Sequence, residues 1–446
     1  MTNEGEFSMD RLLIHGGTVI TVTGRHDVYE NGVVLIEDGR IRYAGPQGEA
    51  PSVDPGTRRL DATGKIVMPG IINTHCHAAM TLLRGYADDM QLMPWLQTKM
   101  WPAEARMTPE DIYWGTALGA YEMLSGGITT FLDMYFHADA IARAIQETGI
   151  RGVIARGIIA VGGPGEAAQR LSETRDSFHR WNGKADGRIT FMVGPHAPYT
   201  CPPDTLLASA ELADELGVGI HIHLSETAGE VDAAWENWNG SPIQHVYKLG
   251  LMKNRHVVAA HCTHASDDDI AILAETGTGV CHCPVSNLKL ASGRTPIVAM
   301  RRQGVHVGFG TDGAASENLL HILGSEMRIG AIQAKELEGD PSIYTAYDAV
   351  EMATLEAARV LGMADQIGSL QPGKRADLIL IDTEKPHMAP NHDPFGLIAY
   401  SALPGDVTHT FVNGKLVYEQ GRLTMLDGRE IIARARESAV RIVRGL

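Results

Sequence analysis

Cysteine is scarce in this chain of 446 residues, and its five cysteines are an odd number. A small secreted domain held together by disulfides would carry more of them at regular spacings. The N-terminus also lacks the basic stretch and the apolar segment of a secretory signal. These absences argue against export, and a cytoplasmic location fits best.

Positive charge is also in short supply, because 38 lysines and arginines face 54 aspartates and glutamates, giving a formal net charge of -16. An acidic surface disfavours binding to nucleic-acid phosphates and to anionic membranes. No apolar run reaches the roughly 18 residues that a membrane-spanning helix needs. We therefore expect no nucleic-acid or membrane partner, a small-molecule substrate, and assembly as a homo-oligomer, the commonest kind of protein assembly.

The middle of the chain alternates between apolar β-type segments and helix-forming segments such as Pro109–Ser125 and Asp267–Thr276. This alternation is typical of α/β folds in which helices cover a parallel sheet. Eight candidate strands predict a closed, TIM-like (β/α)8 barrel. They are centred on Ile71, Thr130, Ile154, Met192, Ile220, Val258, Val280 and Val307.

The sequence pattern at both ends of the chain differs from that of the middle, because it consists of short β segments and glycine-containing turns. Asn413 and Gly414 form a strong hairpin signal near the C-terminus. We expect the two ends to form one small β-sandwich domain beside the barrel. The predicted boundaries are 1–66 for the N-terminal part of this domain, 67–367 for the barrel, and 368–446 for the C-terminal part with a terminal helix.

Metal-binding residue types follow three of the apolar strands. His75 and His77 end the first barrel strand, and because one residue separates them they point to the same side. His223 follows the fifth strand with Glu226 just beyond it, and Asp312 ends the eighth strand. A barrel brings the carboxyl ends of its strands together at its active-site mouth. We therefore expect these side chains to lie close together.

Neutral imidazole and carboxylate are ligands that zinc prefers, and a catalytic zinc site leaves one position open for water. His75, His77, His223 and Asp312 meet this requirement. A single histidine would carry little weight in a chain that has 19 of them. Their combination at three strand ends predicts a metal site, which iron or manganese would also fit.

These motifs resemble the metal-binding segments of the amidohydrolase superfamily, and the resemblance covers almost the whole chain. It rests on residues 67–77, 223–227 and 310–313, and residues 368–378 are similar to the return from the barrel to the small β domain. Within the superfamily, the chain looks most like the 5-methylthioadenosine/S-adenosylhomocysteine deaminase family, with triazine chlorohydrolases as close relatives. Residues 194–199 stand where two-metal relatives have a carboxylated lysine, which implies one Zn2+ per subunit, with Fe2+ or Mn2+ as alternatives.

The resemblance implies hydrolytic deamination of an adenosine-type nucleoside (5-methylthioadenosine, S-adenosylhomocysteine or adenosine) to the inosine analogue with release of ammonia. Zinc would lower the pKa of the attacking water. Asp312 would accept a proton from this water, and Glu226 would carry a proton to the purine ring and then towards the departing ammonia. His261, at the end of the sixth strand, would hold the water or stabilise developing charge; its alternative is a hydrogen-bonded position at the barrel rim.

Three further residues are candidates for substrate binding. His196 resembles the histidine that contacts the substrate in these deaminases, and Glu104 resembles the glutamate that binds the ribose hydroxyls. Arg156, after the third strand, would contact the distal part of the substrate. The alternatives are a carboxylate at a helix N-terminus for Glu104 and a surface ion pair for Arg156.

Two other functions remain open at this point. One is a hydrolase that removes an amine or chloride from another heteroaromatic ring, such as a triazine or a free purine, for which Glu104 would have no ribose to bind. The other is a metal-storing or scaffold protein, which would have no use for Glu226 and His261 beside an open coordination position.

Three local features are not explained by these roles. Glu317 and Asn318 stand where many relatives have a pair of asparagines, so that we expect an effect on substrate preference. Cys281 and Cys283 flank a histidine on an apolar strand, which favours core or rim packing over a second metal site. Residues 95–101 favour helix packing, although their closeness to Glu104 suggests a lid.

Overall fold

The computed structural model describes residues 11–446, and within this range the chain forms eighteen strands and seventeen α-helices. The strands are β1 (Arg11–Ile20), β2 (Val28–Glu37), β3 (Arg40–Pro46), β4 (Arg58–Asp61), β5 (Lys65–Pro69), β6 (Ile71–His77), β7 (Ile128–Tyr135), β8 (Arg151–Ile158), β9 (Ile189–Pro195), β10 (Ile220–Leu224), β11 (Val257–His261), β12 (Gly279–His282), β13 (Val307–Phe309), β14 (Asp312–Gly313), β15 (Leu378–Asp382), β16 (Val407–Val412), β17 (Lys415–Glu419) and β18 (Arg422–Leu423). The helices are α1 (Leu92–Trp95), α2 (Trp101–Glu104), α3 (Pro109–Ser125), α4 (Ala138–Thr148), α5 (Pro164–Trp181), α6 (Lys184–Gly187), α7 (Pro203–Leu216), α8 (Ala228–Trp238), α9 (Pro242–Lys248), α10 (Asp267–Thr276), α11 (Pro284–Lys289), α12 (Ile297–Arg302), α13 (Met327–Glu338), α14 (Ala346–Met352), α15 (Leu355–Val360), α16 (Pro394–Gly396) and α17 (Gly428–Val443).

Helices α3 and α10 have the bounds predicted for them, because local capping groups fix their ends. The hydroxyl of Thr108 accepts a hydrogen bond from the amide of Asp111 at the start of α3, and the Asp111 carboxylate accepts one from the Thr108 amide. Ser266 and Asp269 form the same capping box at the start of α10. Helix α10 ends at Thr276 and is capped by Gly277, whose φ of 66° suits a glycine C-cap.

The strands from both chain ends form one sheet, as the sequence predicted. Its order is β18-β17-β16-β15-β5-β1-β2-β3, with β4 paired to the first half of β1. β5 pairs in parallel with the second half of β1 and antiparallel with β15, so it joins the N-terminal to the C-terminal strands. Asn413 and Gly414 form the turn between β16 and β17, both with positive φ, as expected for a two-residue hairpin. The boundary at residue 67 stays a prediction, and β5 spans it.

The second sheet is the barrel, with the order β13-β12-β11-β10-β9-β8-β7-β6-β14. All of its pairings are parallel, and each of the eight predicted strand centres lies in one of its strands. The eighth strand is split: β13 pairs with β12, whereas β14 pairs with β6 and closes the ring. Strands such as β7 and β11 are buried along their whole length, which explains why most of their residues are apolar.

A buried ion pair connects the base of the barrel to the small sheet. Arg151 begins β8, is 1% exposed, and donates from Nε to Asp377 Oδ2 over 2.9 Å and from Nη2 to Asp377 Oδ1 over 3.1 Å. Nη2 also donates to Asn413 Oδ1 over 2.6 Å. Each charge is therefore paired, which offsets part of the cost of removing it from water.

We expect Arg151→Ala to lower the free energy of unfolding by about 3–5 kcal/mol, because it leaves the Asp377 carboxylate buried without a partner. Urea unfolding of the two proteins at the same pH measures the effect. Arg40→Ala is the control, because Arg40 donates to the Gly373 carbonyl at an exposed position. An equal, small loss in both variants would contradict a role of this pair in joining the two sheets.

Among residues 11–446, none of the helices combines the length and the hydrophobicity needed to cross a bilayer.

Candidate active site

The predicted site residues meet at the carboxyl ends of the barrel strands. A cavity that opens to solvent lies there between the barrel and the segment that contains α1 and α2. Of the predicted site residues, it is lined by His77, Glu104, His196, His223, Glu226, His261 and Asp312. His75 lies fully buried beside them. Arg156 alone stands apart, in an outer chamber that adjoins the cavity.

The four predicted metal ligands form a compact cluster. His75 Nε2 and His77 Nε2 lie 3.4 and 3.2 Å from Asp312 Oδ1. The ring of His223 is 4.8 Å from that of His75 and 5.5 Å from that of His77, between centroids. Two overlapping triads, His75 with His77 and Asp312 and His75 with His223 and His261, have ligand atoms within 4.8 Å of one another.

Hydrogen bonds to backbone carbonyls fix the tautomers of two of these histidines. His77 Nδ1 donates to Met134 O over 2.6 Å, and His223 Nδ1 donates to His196 O over 2.8 Å. A carbonyl oxygen can only accept, so that in each ring Nδ1 carries the hydrogen. The lone pair of a neutral ring is then on Nε2, which faces the cluster.

The tautomer of His75 is fixed by a second histidine, His221. His221 Nδ1 donates to Val258 O over 2.9 Å, and its Nε2 lies 2.8 Å from His75 Nδ1. In a neutral His221 ring the Nε2 atom accepts, so that His75 Nδ1 donates to it. His75 Nε2 then carries a buried lone pair, which has no hydrogen-bond partner among residues 11–446. This unpaired Nε2 atom faces the Asp312 carboxylate and the Nε2 lone pairs of His77 and His223, an arrangement that fits a divalent metal ion.

Two serines orient the Asp312 carboxylate. Ser286 Oγ and Ser316 Oγ donate to Asp312 Oδ2 over 2.6 and 2.9 Å, which leaves Oδ1 to the histidines. Burial raises the pKa of Asp312, but the contacts of its carboxylate with the imidazoles of His75 and His77 outweigh this effect and hold the pKa well below its usual range. Asp312 is therefore ionised at neutral pH, as a metal ligand and proton acceptor must be.

Glu226 lies just beyond β10, where its carboxyl group faces the metal cluster. Its Oε2 atom is 3.9 Å from His261 Nε2, and its Oε1 atom accepts from Ser292 Oγ over 3.5 Å. Burial raises the pKa of Glu226 above its ordinary value, against the lowering effect of His261. A raised pKa suits a group that takes up and releases a proton near neutral pH.

The backbone that carries Glu226 is held from two sides. Glu230, in the first turn of α8, accepts from the amides of Ser225 and Glu226 over 3.1 and 2.6 Å. Thr263 Oγ1 donates to the Glu226 carbonyl over 2.7 Å. Sequence reasoning missed both residues. A threonine at 227 followed three residues later by Glu230 is a capping signal that would have identified one of them.

His261 is hydrogen-bonded at the barrel rim, and its other ring nitrogen faces the cavity. Its Nδ1 atom lies 2.9 Å from Asn287 Oδ1, an acceptor, which places the ring hydrogen on Nδ1. Thr295 Oγ1 donates to the His261 carbonyl over 2.9 Å, and the residue has a φ of 71°, which is unusual for a histidine. The ring is thus hydrogen-bonded at the rim, while its Nε2 atom faces Glu226 and the cavity.

The wall opposite the metal cluster contains Glu104 and two tryptophans. Glu104 ends α2, and its Oε1 atom accepts from the Tyr135 hydroxyl over 2.7 Å. Burial raises the pKa of Glu104, and the bond from Tyr135 opposes this effect. Trp95 and Trp101 line the cavity on the same side, so residues 95–101 form part of its wall. His196 lies between this wall and His223, with Nδ1 hydrogen-bonded to Thr200 Oγ1 over 2.9 Å.

Arg156 is ion-paired, which was the alternative to a substrate contact. Its side chain contacts the Glu173 carboxylate and donates to the Gly157 carbonyl over 2.8 Å. The outer chamber around it also contains Glu166 and Arg170, which form a second ion pair. Trp101 and Glu104 border both the chamber and the inner cavity. The outer chamber therefore presents positive and negative side chains to any part of a bound molecule that extends out of the inner cavity.

Cys281, His282 and Cys283 belong to the core, as predicted. All three are 0% exposed, and Cys281 Sγ donates to the Thr74 carbonyl over 3.0 Å. Within residues 11–446, neither group of residues that could hold a metal ion includes them.

The chain is similar to a known family over most of its length. The model of the amidohydrolase family matches residues 66–417. A 5-methylthioadenosine/S-adenosylhomocysteine deaminase from Symbiobacterium thermophilum is 78% identical over 98% of this chain and 100% of its own length. A zinc-bound adenosine deaminase from Xanthomonas campestris has a TM-score of 0.91 at 36% identity, covering 97% of this chain and 98% of that one. A zinc-bound atrazine chlorohydrolase from Arthrobacter aurescens, at 24% identity and a TM-score of 0.87 over 96% of this chain and 100% of that one, shows the fold alone.

Proposed function

The chain belongs to the amidohydrolase family, and from this premise we propose that it is a zinc-dependent deaminase of adenosine-type nucleosides. The enzyme replaces the exocyclic amine of the purine by oxygen and releases ammonia. One observation carries the proposal: three histidine lone pairs, two carboxylates and His261 Nε2 converge in one cavity, whose far wall offers the carboxyl group of Glu104. The names of the deaminase relatives support the same reaction.

The four clustered ligands His75, His77, His223 and Asp312 would hold one zinc ion. Their chemistry of three neutral imidazoles and one carboxylate suits zinc, and iron or manganese would accept the same set. When bound, zinc lowers the pKa of water and so supplies a nucleophile at neutral pH.

The protons of the reaction are handled by two carboxylates. Asp312 Oδ1, ionised and directed towards the cluster, accepts a proton from the attacking water. Glu226 gives its proton to the ring nitrogen of the purine as oxygen adds at the six-position. It then takes up the proton of the added hydroxyl group and passes it to the amine, which leaves as ammonia as the carbonyl forms. The proton held by Asp312 returns to Glu226 and completes the cycle. His261 Nε2, 3.9 Å from Glu226 Oε2, orients the water and stabilises developing charge.

The remaining residues bind the nucleoside. Glu104 keeps one oxygen free of Tyr135 and accepts hydrogen bonds from the ribose hydroxyls. His196 contacts the purine, since its ring borders the cavity beside His223. Arg156, in the outer chamber, faces the 5′ substituent. A chamber with charges of both signs suits a large polar substituent, which favours S-adenosylhomocysteine or a similar 5′-thioether among the candidate substrates.

Ammonia release tests the proposed function. The zinc-loaded protein is assayed with adenosine, 5-methylthioadenosine, S-adenosylhomocysteine, guanine and an amino-substituted triazine, and a chelated sample is the control. Metal-dependent release from the adenosine compounds is the expected result. Activity on a triazine or free purine, with none on the nucleosides, would overturn the nucleoside assignment and favour the alternative hydrolase.

We expect Glu104→Ala to raise the KM for adenosine by about 10- to 100-fold, because a hydrogen bond to a charged group contributes about 1.5–3 kcal/mol. The kcat should change little, since Glu104 is remote from the reacting atoms. Steady-state kinetics with adenosine and with adenine distinguishes a loss of ribose binding from a general loss of activity, because adenine has no ribose. Glu110→Ala, at an exposed position in the next helix, is the control. Equal losses on both substrates would mean that Glu104 does not bind the sugar.

A further inference from the structure

Two buried carboxyl groups lie behind Asp312, and the proposed reaction uses neither of them. Glu317 is 5% exposed and Glu326 is 0% exposed. Among residues 11–446, the buried atoms Glu317 Oε2 and Glu326 Oε1 receive no hydrogen bond from another group. The two carboxyl groups lie close together, because Glu317 Oε1 accepts from Ser325 Oγ, next to Glu326, and each carboxyl group shifts the pKa of the other. Within residues 11–446, neither carboxyl group has a cationic side chain in ion-pair contact. Two ionised carboxylates would repel each other in such a place, so that at least one proton must lie between them.

The pair stands where two segments that orient Asp312 meet. Glu326 Oε2 accepts from the amide of Val285 over 3.2 Å, and Val285 precedes Ser286 in α11. Glu317 directly follows Ser316, and its Oε1 atom accepts from Ser325 Oγ over 3.2 Å. Each carboxyl group is thus anchored next to one of the two serines.

Those two serines are the donors to Asp312 Oδ2, at 2.6 Å from Ser286 and 2.9 Å from Ser316. We propose that Glu317 and Glu326 are positioning residues, whose shared proton ties α11 to the segment after β14 and so keeps both serine hydroxyls on Asp312. The proposal rests on the proposed role of Asp312 in the deaminase reaction.

This assignment gives Glu317 a different role from the one that its sequence position suggested. An effect on substrate preference was expected, but Glu317 does not line the substrate cavity. Its carboxyl group points to Glu326 instead.

The surroundings of the pair favour retention of the proton. Burial raises the pKa of Glu326 to about 8, and burial together with Glu326 raises the pKa of Glu317 well above its ordinary value. The titratable groups that face the pair are Asp312, whose negative charge acts in the same direction, and the buried thiol of Cys283. Neither supplies a positive charge. The shared proton is therefore lost only in alkaline solution, where the repelling carboxylates would release the two serines.

Glu317→Gln provides a sharp test, because a glutamine amide donates to Glu326 without needing a shared proton. We measure kcat against pH for the zinc-loaded wild type, Glu317→Gln and Glu336→Gln, the last being an exposed control on α13. The ratio of kcat at pH 9 to kcat at pH 7 should be about tenfold lower in the wild type and in the Glu336→Gln control than in Glu317→Gln. The reason is that one pH unit above the pKa leaves about a tenth of the carboxyl pairs protonated. If the alkaline limbs of all three profiles superimpose, the positioning role is overturned.

A measurement without turnover tests the shared proton itself. A carboxyl group whose pKa is raised in the fold stabilises it at low pH, and this stabilisation is lost as the pH rises towards the folded pKa. Between pH 6 and pH 9 the urea midpoint should therefore fall further in the wild type than in Glu317→Gln. If the urea midpoints of the two proteins fall equally, the shared proton between Glu317 and Glu326 is overturned. If the midpoints fall differently but the protein releases no ammonia, only the proposed function is overturned. If Glu317→Gln does not fold, Glu326→Gln places the amide on the other partner and serves in both measurements.

Discussion

Replacement of Glu226 by glutamine is expected to lower kcat by about 10²- to 10⁴-fold, the usual contribution of a general acid or base. Glutamine has nearly the same shape and keeps the contact with Ser292, but it cannot carry a proton. The carboxyl group sits beside the metal cluster without belonging to either ligand triad, so that the variant should bind zinc as the wild type does. Steady-state kinetics with adenosine and metal analysis of the same samples measure the two quantities.

Glu236→Gln is the matched control, because Glu236 is an exposed residue on α8, the helix that follows Glu226. It removes the same charge and should leave kcat unchanged. Normal turnover in Glu226→Gln would contradict the assigned proton transfer. A loss of zinc from that variant would instead make Glu226 part of the metal site.

Replacement of His75 by alanine is expected to reduce bound zinc to well below one ion per chain and to lower kcat/KM to the level of the chelated protein. His75 is the residue common to both ligand triads, and within the described part of the chain its Nε2 atom has no hydrogen-bond partner, which leaves it to the proposed metal. The variant also leaves His221 without its hydrogen bond at Nε2, which weakens the support of the remaining ligands. Metal analysis after dialysis, together with the ammonia assay, measures both effects.

His282→Ala controls for the loss of a buried imidazole. His282 is also 0% exposed and lies at the end of a barrel strand, but neither of its ring nitrogens has a hydrogen-bond partner in the range 11–446 that the structure describes. The His282→Ala variant should retain zinc even if its fold is less stable than that of the wild type. Zinc retained at one ion per chain in His75→Ala would remove His75 from the metal site.

The sequence predicted the barrel well because its strands are buried on both faces. Strands such as β7 and β11 are therefore mostly apolar, which distinguishes them from the amphipathic helices between them. The position of His75 and His77 was also predictable from the sequence, since residues two apart in a strand have their side chains on the same side. Metal ligands at the ends of parallel strands therefore follow from local pattern and topology alone.

The groups that support these ligands could not be predicted in the same way. His75 and His221 are 146 positions apart, and only the barrel register brings their ring nitrogens to 2.8 Å. Ser286 and Ser316 have side chains that are common everywhere in the chain, so that nothing local marks them as partners of Asp312. The shared proton of Glu317 and Glu326 depends on a contact across two loops. Such pairings are properties of the assembled fold and leave no periodic signal.

The order of the small sheet has a consequence for synthesis on the ribosome. β5 pairs with β15, from Lys65 opposite Asp382 to Pro69 opposite Leu378, so that its partner is translated only after the whole barrel. At typical elongation rates of about 5–20 residues per second, the edge of β5 waits roughly 15 to 60 s. An unpaired strand edge invites pairing with another nascent chain. Solubility during expression should therefore depend on the speed of translation between β5 and β15, even for variants whose finished fold is as stable as that of the natural sequence.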